Sequence, residues 1–198
     1  MHIIACLGDS LTEGADVDKG FRWTSLVANS LGRVVHNCGI GGDTTQGMLA
    51  RFYPEVLGLK PDYVIITGGT NDLWWDAGIS AILGNVFSIV CQARYHDITP
   101  IIGLPLPVDL VAARQQDFAA PLSGYDRFEE KLHLLIEKLT EAAGNSEVPV
   151  IDFYSDFCSE NGQADRLLYL EDGLHPNRAG HAKMSNQVIE TMHGEFQF

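Results

Sequence analysis

The stretch Ile3-Ile4-Ala5-Cys6-Leu7-Gly8-Asp9-Ser10-Leu11-Thr12-Glu13-Gly14 passes from a short apolar run directly into a small polar turn. An aliphatic run of this length, bounded by glycine, is typical of a strand that is buried on both faces. We therefore predict a strand, a turn and then a helix. In open α/β sheets the functional site lies at the carboxyl ends of the strands, so Ser10 is placed where chemistry occurs. The alternative is that Ser10 or Thr12 only caps the next helix.

The rest of the chain continues this alternation of strand and helix. Short aliphatic or β-branched runs predict strands at 2–7, 34–37, 62–67, 98–103 and 148–153. Apolar residues at intervals of three and four predict helices at 20–31, 44–57, 78–95, 122–143 and 177–193. This pattern is typical of a three-layer α/β/α fold, in which helices cover both faces of a five-stranded parallel sheet. We expect the flavodoxin-like strand order 2-1-3-4-5.

Composition limits the classes of function. The chain has 198 residues and shows no linker or repeat, so we expect a single domain over residues 1–198. Its formal net charge of −13 argues against nucleic acid and anionic membrane surfaces as partners. No apolar run approaches the roughly 18 residues of a membrane span, so we expect no membrane insertion. The oligomeric state is not indicated by the sequence.

The cysteines suggest a reducing compartment. Cys6, Cys38, Cys91 and Cys158 show no C-x-x-C pair and no zinc-ligand spacing, so we expect four reduced thiols. No basic and then apolar leader precedes the first strand. We therefore expect a cytoplasmic protein.

Polar loops follow the first three predicted strands. Ser10 follows strand one, Gly41-Gly42-Asp43 follows strand two, and Gly69-Thr70-Asn71-Asp72 follows strand three. In the order 2-1-3 these loops are neighbours. The N–H groups of Ser10 and Gly42 and the side-chain amide of Asn71 would then supply three donors to a developing oxyanion. We assign Asp43 and Asp72 mainly to helix capping.

A last polar motif precedes the final helix. In Asp172-Gly173-Leu174-His175-Pro176, proline favours the first helical position, so His175 lies at the helix entry. A turn at Asp172-Gly173 would bring the carboxylate onto the imidazole, as the acid of a Ser-His-Asp triad requires. The other histidines lack this arrangement. A metal site at Asp172, His175 and His181 is an alternative, although the spacing from His175 to His181 is not that of a helical metal pair.

These motifs together resemble the GDSL, or SGNH, hydrolase family. Gly8-Asp9-Ser10-Leu11 is similar to its first block, Gly42 lies in a match to the second, Asn71 in a match to the third, and Asp172-x-x-His175-Pro176 is similar to the fifth. The resemblance implies a three-layer fold and hydrolysis of carboxylic esters or thioesters without a cofactor. It also implies Ser10 as nucleophile, His175 as base, Asp172 as its orienter, and an oxyanion hole of Ser10, Gly42 and Asn71. The family includes esterases, lysophospholipases, thioesterases and carbohydrate deacetylases.

The substrate is indicated less directly. Trp74 and Trp75 follow the Asn71 loop, and we expect at most one of them to line a substrate pocket, because adjacent residues point in different directions. Residues 104–121 and 154–176 are long for loops, so we expect a wall or lid at the site. The apolar residues of the first segment are candidates for that wall: Leu106, Val108, Leu110 and Phe118.

We expect a shallow site for a small-molecule ester with a short acyl chain. The alternatives within the family are a carbohydrate O-deacetylase and a lysophospholipase or thioesterase. A different class, a flavodoxin-like binding module, would use Ser10-Leu11-Thr12 to hold a flavin phosphate. It would have no use for Asp172 beside His175.

Overall fold

The computed structural model describes residues 2–14, 16–117 and 119–196. The apolar run at the start of the chain forms a central strand, β1, with a parallel neighbour on each side. The order across the sheet is β2-β1-β3-β4-β5, and every pairing is parallel, which confirms the predicted order. The strands are β1 (Ile3–Gly8), β2 (Val34–Gly39), β3 (Tyr63–Thr67), β4 (Thr99–Gly103) and β5 (Val150–Ile151).

The register aligns the carboxyl ends of the central strands. Gly8 pairs with Gly39 on one side and with Thr67 on the other, and Thr67 pairs with Gly103. The loops that follow β1, β2 and β3 therefore leave the sheet side by side.

Helices cover both faces of the sheet, as the alternating pattern predicts. The helices are α1 (Ser10–Glu13), α2 (Trp23–Leu31), α3 (Thr45–Arg51), α4 (Thr70–Trp74), α5 (Ile79–Tyr95), α6 (Leu110–Ala113), α7 (Tyr125–Asn145), α8 (Phe153–Asp156) and α9 (Arg178–Glu195). Single 3₁₀ turns occur at Lys19–Phe21, Leu57–Leu59 and Arg166–Leu168.

Side chains of β1 alternate between two apolar cores. Ala5 and Leu7 pack in a core with α3, α5 and α7, whereas Ile4 and Cys6 pack in a core with α2 and α9. A strand buried on both faces has this alternation without any polar position, which explains the continuous apolar run in the sequence. No helix in the described ranges is both long enough and apolar enough to cross a membrane.

Two elements differ from the sequence prediction. The helix predicted over 44–57 is α-helical only to Arg51 and continues as a π turn at Phe52–Val56. Pro54 lies in this turn and explains the change, because it has no N–H to donate and its ring clashes with the carbonyl four residues earlier. The strand predicted over 148–153 pairs with the sheet only at Val150–Ile151.

The two long segments pack against each other. The N–H of Asp109 donates to the carbonyl of Gly173 at 2.9 Å, and the Tyr169 hydroxyl donates to the carbonyl of Pro107 at 2.5 Å. Helix α6 gives the first segment some regular structure, and α8 and a 3₁₀ turn do the same for the second. The segment 104–121 is therefore tied to the loop that carries Asp172 and His175.

Candidate active site

Ser10 is held at the end of β1 by a cap that its neighbour provides. Oδ1 of Asp9 accepts the N–H of Leu11 at 2.9 Å, so Asp9, rather than Ser10 or Thr12, caps α1. Ser10 is the first residue of this short helix. Its hydroxyl is therefore available for other contacts, and the alternative that it serves as the helix cap is wrong.

The loop before α9 brings His175 and Asp172 to Ser10. His175 Nε2 lies 2.9 Å from Ser10 Oγ, and His175 Nδ1 lies 2.6 Å from Asp172 Oδ2. The other Asp172 oxygen accepts the N–H groups of Leu174 and His175, each at 2.9 Å. The turn between them requires glycine, because Gly173 has φ +70° and a Cβ there would lie 2.6 Å from the carbonyl of Asp109.

The electrostatics define the protonation of this hydrogen-bonded chain. Burial works to raise the pKa of Asp172, but hydrogen bonds from the His175 imidazole and from two backbone N–H groups outweigh it and hold that pKa at about 2. Burial works to lower the pKa of His175, and the adjacent Asp172 carboxylate raises it above its usual value. An ionised Asp172 requires a proton on Nδ1, so Nε2 of a neutral His175 is the acceptor that faces Ser10.

Gly42 and Asn71 lie on the same cleft as Ser10. Gly42 adopts φ +76°, a conformation that favours glycine. The Asn71 side-chain amide donates one hydrogen bond to the carbonyl of Asp43 at 2.9 Å. An amide nitrogen carries two hydrogens, so this contact orients the group and leaves a second donor.

Asp43 and Asp72 make structural contacts. Neither of them caps the helix that follows it, although the sequence predicts that both do. The hydroxyl of Thr44 caps α3 by accepting the N–H of Gly47 at 3.2 Å. Asp43 instead pairs with Arg51 at 2.7 Å. Asp72 lies inside α4 and accepts two hydrogen bonds from Thr45, so it caps α3 from a neighbouring element.

A cleft of about 220 Å³ lies over Ser10 and His175. Both Trp74 and Trp75 line it, although we expected at most one. Helix α4 ends at Trp74, and Trp75 leaves the helical conformation, so the two rings need not diverge as they would on a helix. Trp74 is fixed by a hydrogen bond to the carbonyl of Ala119 at 2.8 Å and by its edge contact with Phe128. Trp75 is 58% exposed at the rim.

The predicted wall residues lie elsewhere. Leu106 is buried in the core that contains α2 and α9, and Val108 and Leu110 line a separate cavity, so none of them lines the cleft. These residues follow the end of β4 at Gly103, and an apolar pattern in the sequence cannot distinguish a core or cavity position from a wall of the active-site cleft. Phe118 lies outside the described residues.

Four further cleft residues were not predicted: Asp9, Leu11, Thr70 and Leu174. Each is adjacent in sequence to a predicted site residue or separated from one by a single position. Asp9 is 1% exposed, and its Oδ2 has no hydrogen-bond partner among the described residues. Burial is the main reason why the pKa of Asp9 rises to about 7.

His181 makes a contact that differs from the one expected for a metal site at Asp172, His175 and His181. Its Nδ1 accepts the N–H of Trp23 at 3.3 Å in a buried position. Burial, with a smaller effect from Arg22, lowers the pKa of His181 to about 4, so it is neutral at pH 7. Within the described residues, no group of three His, Cys, Asp or Glu side chains is placed to hold a metal ion.

Comparisons with known proteins agree with this architecture. The chain is 26% identical to the uncharacterized lipoprotein YqeF of Bacillus subtilis, over 86% of this chain and 79% of that protein. Its fold is similar to that of a GDSL-like lipase from Bacteroides thetaiotaomicron, with a TM-score of 0.79 and 23% identity over 98% of this chain and 89% of the other. It is also similar to a variant of an acetylxylan esterase from Geobacillus stearothermophilus, with a TM-score of 0.76 and 18% identity over 96% and 94% of the two chains.

The match to a protein family is more specific than these similarities of fold. A family model described as GDSL-like Lipase/Acylhydrolase matches residues 6–183, a range that includes every residue of the Ser10, Gly42, Asn71 and Asp172–His175 motifs. The chain belongs to the GDSL-like lipase/acylhydrolase family.

Proposed function

We propose that this protein is a serine esterase that cleaves small or short-chain carboxylic esters through an acyl-enzyme on Ser10. The observation that carries the proposal is the continuous chain of hydrogen bonds from Ser10 Oγ to His175 Nε2 and from His175 Nδ1 to Asp172, at 2.9 Å and 2.6 Å. A nucleophile, a base within hydrogen-bond reach and a carboxylate that orients the base are the parts that acyl transfer requires. A flavin-binding module would have no use for them.

In the proposed mechanism, His175 accepts the proton of the Ser10 hydroxyl while Oγ attacks the acyl carbon. The tetrahedral oxyanion collapses to an acyl-enzyme, and His175 returns the proton to the leaving alcohol. Water then enters, loses a proton to His175 and attacks the acyl carbon. Collapse of the second tetrahedral species releases the acid, and the proton returns to Ser10. Asp172 stays ionised and stabilises the imidazolium throughout.

We assign the oxyanion to three donors: the N–H groups of Ser10 and Gly42 and the amide of Asn71. Two observations support the assignment. All three residues line one cleft with His175, and the Asn71 amide is oriented by Asp43. Loss of one such donor lowers kcat by roughly 10²–10³ in well-studied hydrolases.

The size of the cleft supports a small acyl group. Its volume of about 220 Å³ lies below the roughly 300–1,000 Å³ of pockets for drug-sized ligands. Trp74 is held by Ala119 and Phe128, and is therefore a fixed wall rather than a movable one. A carbohydrate O-deacetylase, a lysophospholipase and a thioesterase remain alternatives within the same family.

We further propose one domain over residues 1–198 and a cytoplasmic location. Cys6, Cys38, Cys91 and Cys158 are all unpaired, which is usual for proteins of a reducing compartment. The relative YqeF is named a lipoprotein, so the location needs a direct test. Fractionation of cells that express the native gene, followed by immunoblotting, distinguishes a cytoplasmic pool from a membrane-associated one.

The proposed activity is tested by initial rates on p-nitrophenyl esters from acetate to palmitate. We expect activity that is highest for short chains and that falls on the order of 10⁶-fold in kcat in Ser10→Ala. Ser88→Ala is the matched control, because Ser88 is exposed on α5 and its hydroxyl donates to the carbonyl of Gly84 in the same helix. If Ser10→Ala keeps most of the activity, the assignment of the nucleophile is wrong. A maximum at long chains would contradict the short-chain part of the proposal.

A further inference from the structure

A cluster of charged groups lies beneath the loops that surround Ser10, and Arg51 is its centre. The guanidinium donates from Nε to Asp43 at 2.7 Å, from Nη1 to Glu55 at 2.8 Å and from Nη2 to the carbonyl of Gly8 at 2.9 Å. The Arg51 side chain is only 11% exposed. It does not line the cleft, so any effect on chemistry must act through other groups.

The contact with Gly8 reaches the loop that carries Ser10. Gly8 is the last residue of β1 and lies two positions before Ser10. Its carbonyl also accepts the N–H of Ile40 at 3.1 Å, from the loop that carries Gly42. Arg51 therefore donates to the same carbonyl that links the loop of Ser10 to the loop of Gly42.

The contact with Asp43 reaches the other two proposed donors. The N–H of Asp43 donates to the carbonyl of Ile40 at 3.1 Å and closes the turn that contains Gly42. The carbonyl of Asp43 accepts the Asn71 amide at 2.9 Å. One residue thus orients both Gly42 and Asn71 with its backbone, while its carboxylate is held by Arg51.

We propose that Arg51 is a positioning residue that holds the backbone of Ser10 and Gly42 and the Asn71 amide in the geometry needed to bind the oxyanion. This inference rests on the proposed esterase function. A planar guanidinium presents several donors in a fixed fork, and the three contacts of Arg51 use that geometry. Lysine would keep the charge, but its single ammonium cannot reproduce the same set of directions.

The alternative is that Arg51 contributes only to folding stability. The two roles differ in what they change. Oxyanion donors act on the transition state, so their misplacement lowers kcat while substrate binding is largely kept. A purely structural role would lower the melting temperature and leave kcat of the folded enzyme unchanged.

The test compares Arg51→Lys and Arg51→Met with Arg94→Lys and Arg94→Met. Arg94 is the control, because its guanidinium also donates to backbone carbonyls, those of Ser146 and Glu147, but next to the amino ends of β4 and β5, at the opposite end of the strands from Ser10. Kinetics with p-nitrophenyl acetate are measured below the melting temperature of each variant. We expect a roughly 10- to 100-fold lower kcat and a nearly unchanged KM for both Arg51 variants, and no change for the Arg94 variants.

Two further measurements separate the roles. Phenylboronic acid forms a tetrahedral adduct with an active-site serine, so its affinity should fall in parallel with kcat in the Arg51 variants. Added methylguanidinium should partly restore kcat in Arg51→Ala but not in Arg51→Met, in which the methionine side chain occupies the space. Full kcat and full boronate affinity in Arg51→Lys would overturn the inference, because they would show that the fork is not needed.

Failure of the inference can be distinguished from failure of the proposed function. If the activity does not depend on Ser10, the proposed function fails before Arg51 is considered. If the activity depends on Ser10 and the folded Arg51 variants keep normal kcat, only the role of Arg51 is wrong.

Discussion

At the scale of single residues, Asp172 has two roles. A sequence motif can suggest both roles, but it cannot show which oxygen performs each one. One of its oxygens closes its own turn on two backbone N–H groups, and the other accepts from His175. The turn residues and the proline made this arrangement predictable, because both restrict the local backbone. Leu106 and Val108 were not predictable as core or cavity residues, because an apolar side chain gives no indication of which space it fills.

The raised pKa of His175 predicts the acid limb of the pH profile. His175 must be neutral to accept the Ser10 proton, so kcat/KM should fall below a pH that lies above the usual imidazole value of about 6.5. Asp172→Asn removes the charge that raises this pKa, so the acid limb should move to lower pH. The tautomer is no longer fixed, so kcat should fall by about 10³- to 10⁴-fold.

The matched control for this prediction is Asp165→Asn, because Asp165 lies in the same long segment and its side chain accepts the N–H of Leu167 at the start of a 3₁₀ turn. Its profile should match that of the unmodified enzyme. An acid limb that stays in place in Asp172→Asn would show that Asp172 does not control the pKa of His175.

At the scale of elements, the long helices could be predicted from the periodicity of apolar residues, whereas the short helices could not. Helices α1 and α4 span four and five residues, too few for a periodic pattern, and yet they carry Ser10 and Asn71. Helix α1 begins at the cap from Asp9, and α4 begins after Gly69, which has φ +118°. Asp72 in α4 accepts both the N–H and the hydroxyl of Thr45 at the start of α3, and Asn85 of α5 donates to the same hydroxyl at 3.1 Å.

The Asp72 contact predicts a large stability effect for a small change. In Asp72→Asn one carboxylate oxygen is replaced by an amide nitrogen, which cannot accept a hydrogen bond. One of the two donors of Thr45, its N–H or its hydroxyl, therefore loses a buried acceptor. We expect the free energy of unfolding to fall by about 2–3 kcal/mol, since a buried hydrogen bond to a charged group is involved. Urea unfolding measures this value.

The control is Asp152→Asn, an exposed cap at the start of α8 that accepts the N–H of Ser155. Asparagine caps a helix as well as aspartate does, so the change there should be a few tenths of a kcal/mol. Equal effects at the two positions would contradict the role of Asp72 as a buried link between α3 and α4.

At the scale of the whole molecule, the sheet order and the three layers followed from the alternation of strands and helices. Parallel strands need crossover helices, and right-handed crossovers leave few possible orders. The packing of residues 104–117 against the loop at 171–173 could not be predicted in the same way. It depends on contacts between segments about 60 residues apart, such as Asp109 with Gly173, and no periodic pattern specifies such pairs.

Asp9 links the active-site turn to the stability of the entire protein. Its pKa rises from an ordinary 3.8 to about 7 on folding, mainly because the carboxyl group is buried. Between these values the folded protein keeps a proton that the unfolded chain has lost. The free energy of unfolding should therefore decrease as the pH rises from about 4 to 7, by about 4 kcal/mol for this group, and should lose no more from it above pH 7.

Asp9→Asn should remove this part of the pH dependence while it keeps the cap, because the amide oxygen can still accept the N–H of Leu11. The buried amide has its own cost, but that cost does not vary with pH. Urea unfolding from pH 4.5 to 8.5 should therefore show a flatter curve for the variant than for the unmodified protein. His175 and Asp172 titrate in both proteins, and the Asp9 charge also raises the pKa of His175, so the difference between the two curves reports Asp9 together with its coupling to His175. Parallel curves would mean that Asp9 is ionised in the folded protein throughout this range, and that its buried oxygen has a partner such as an ordered water.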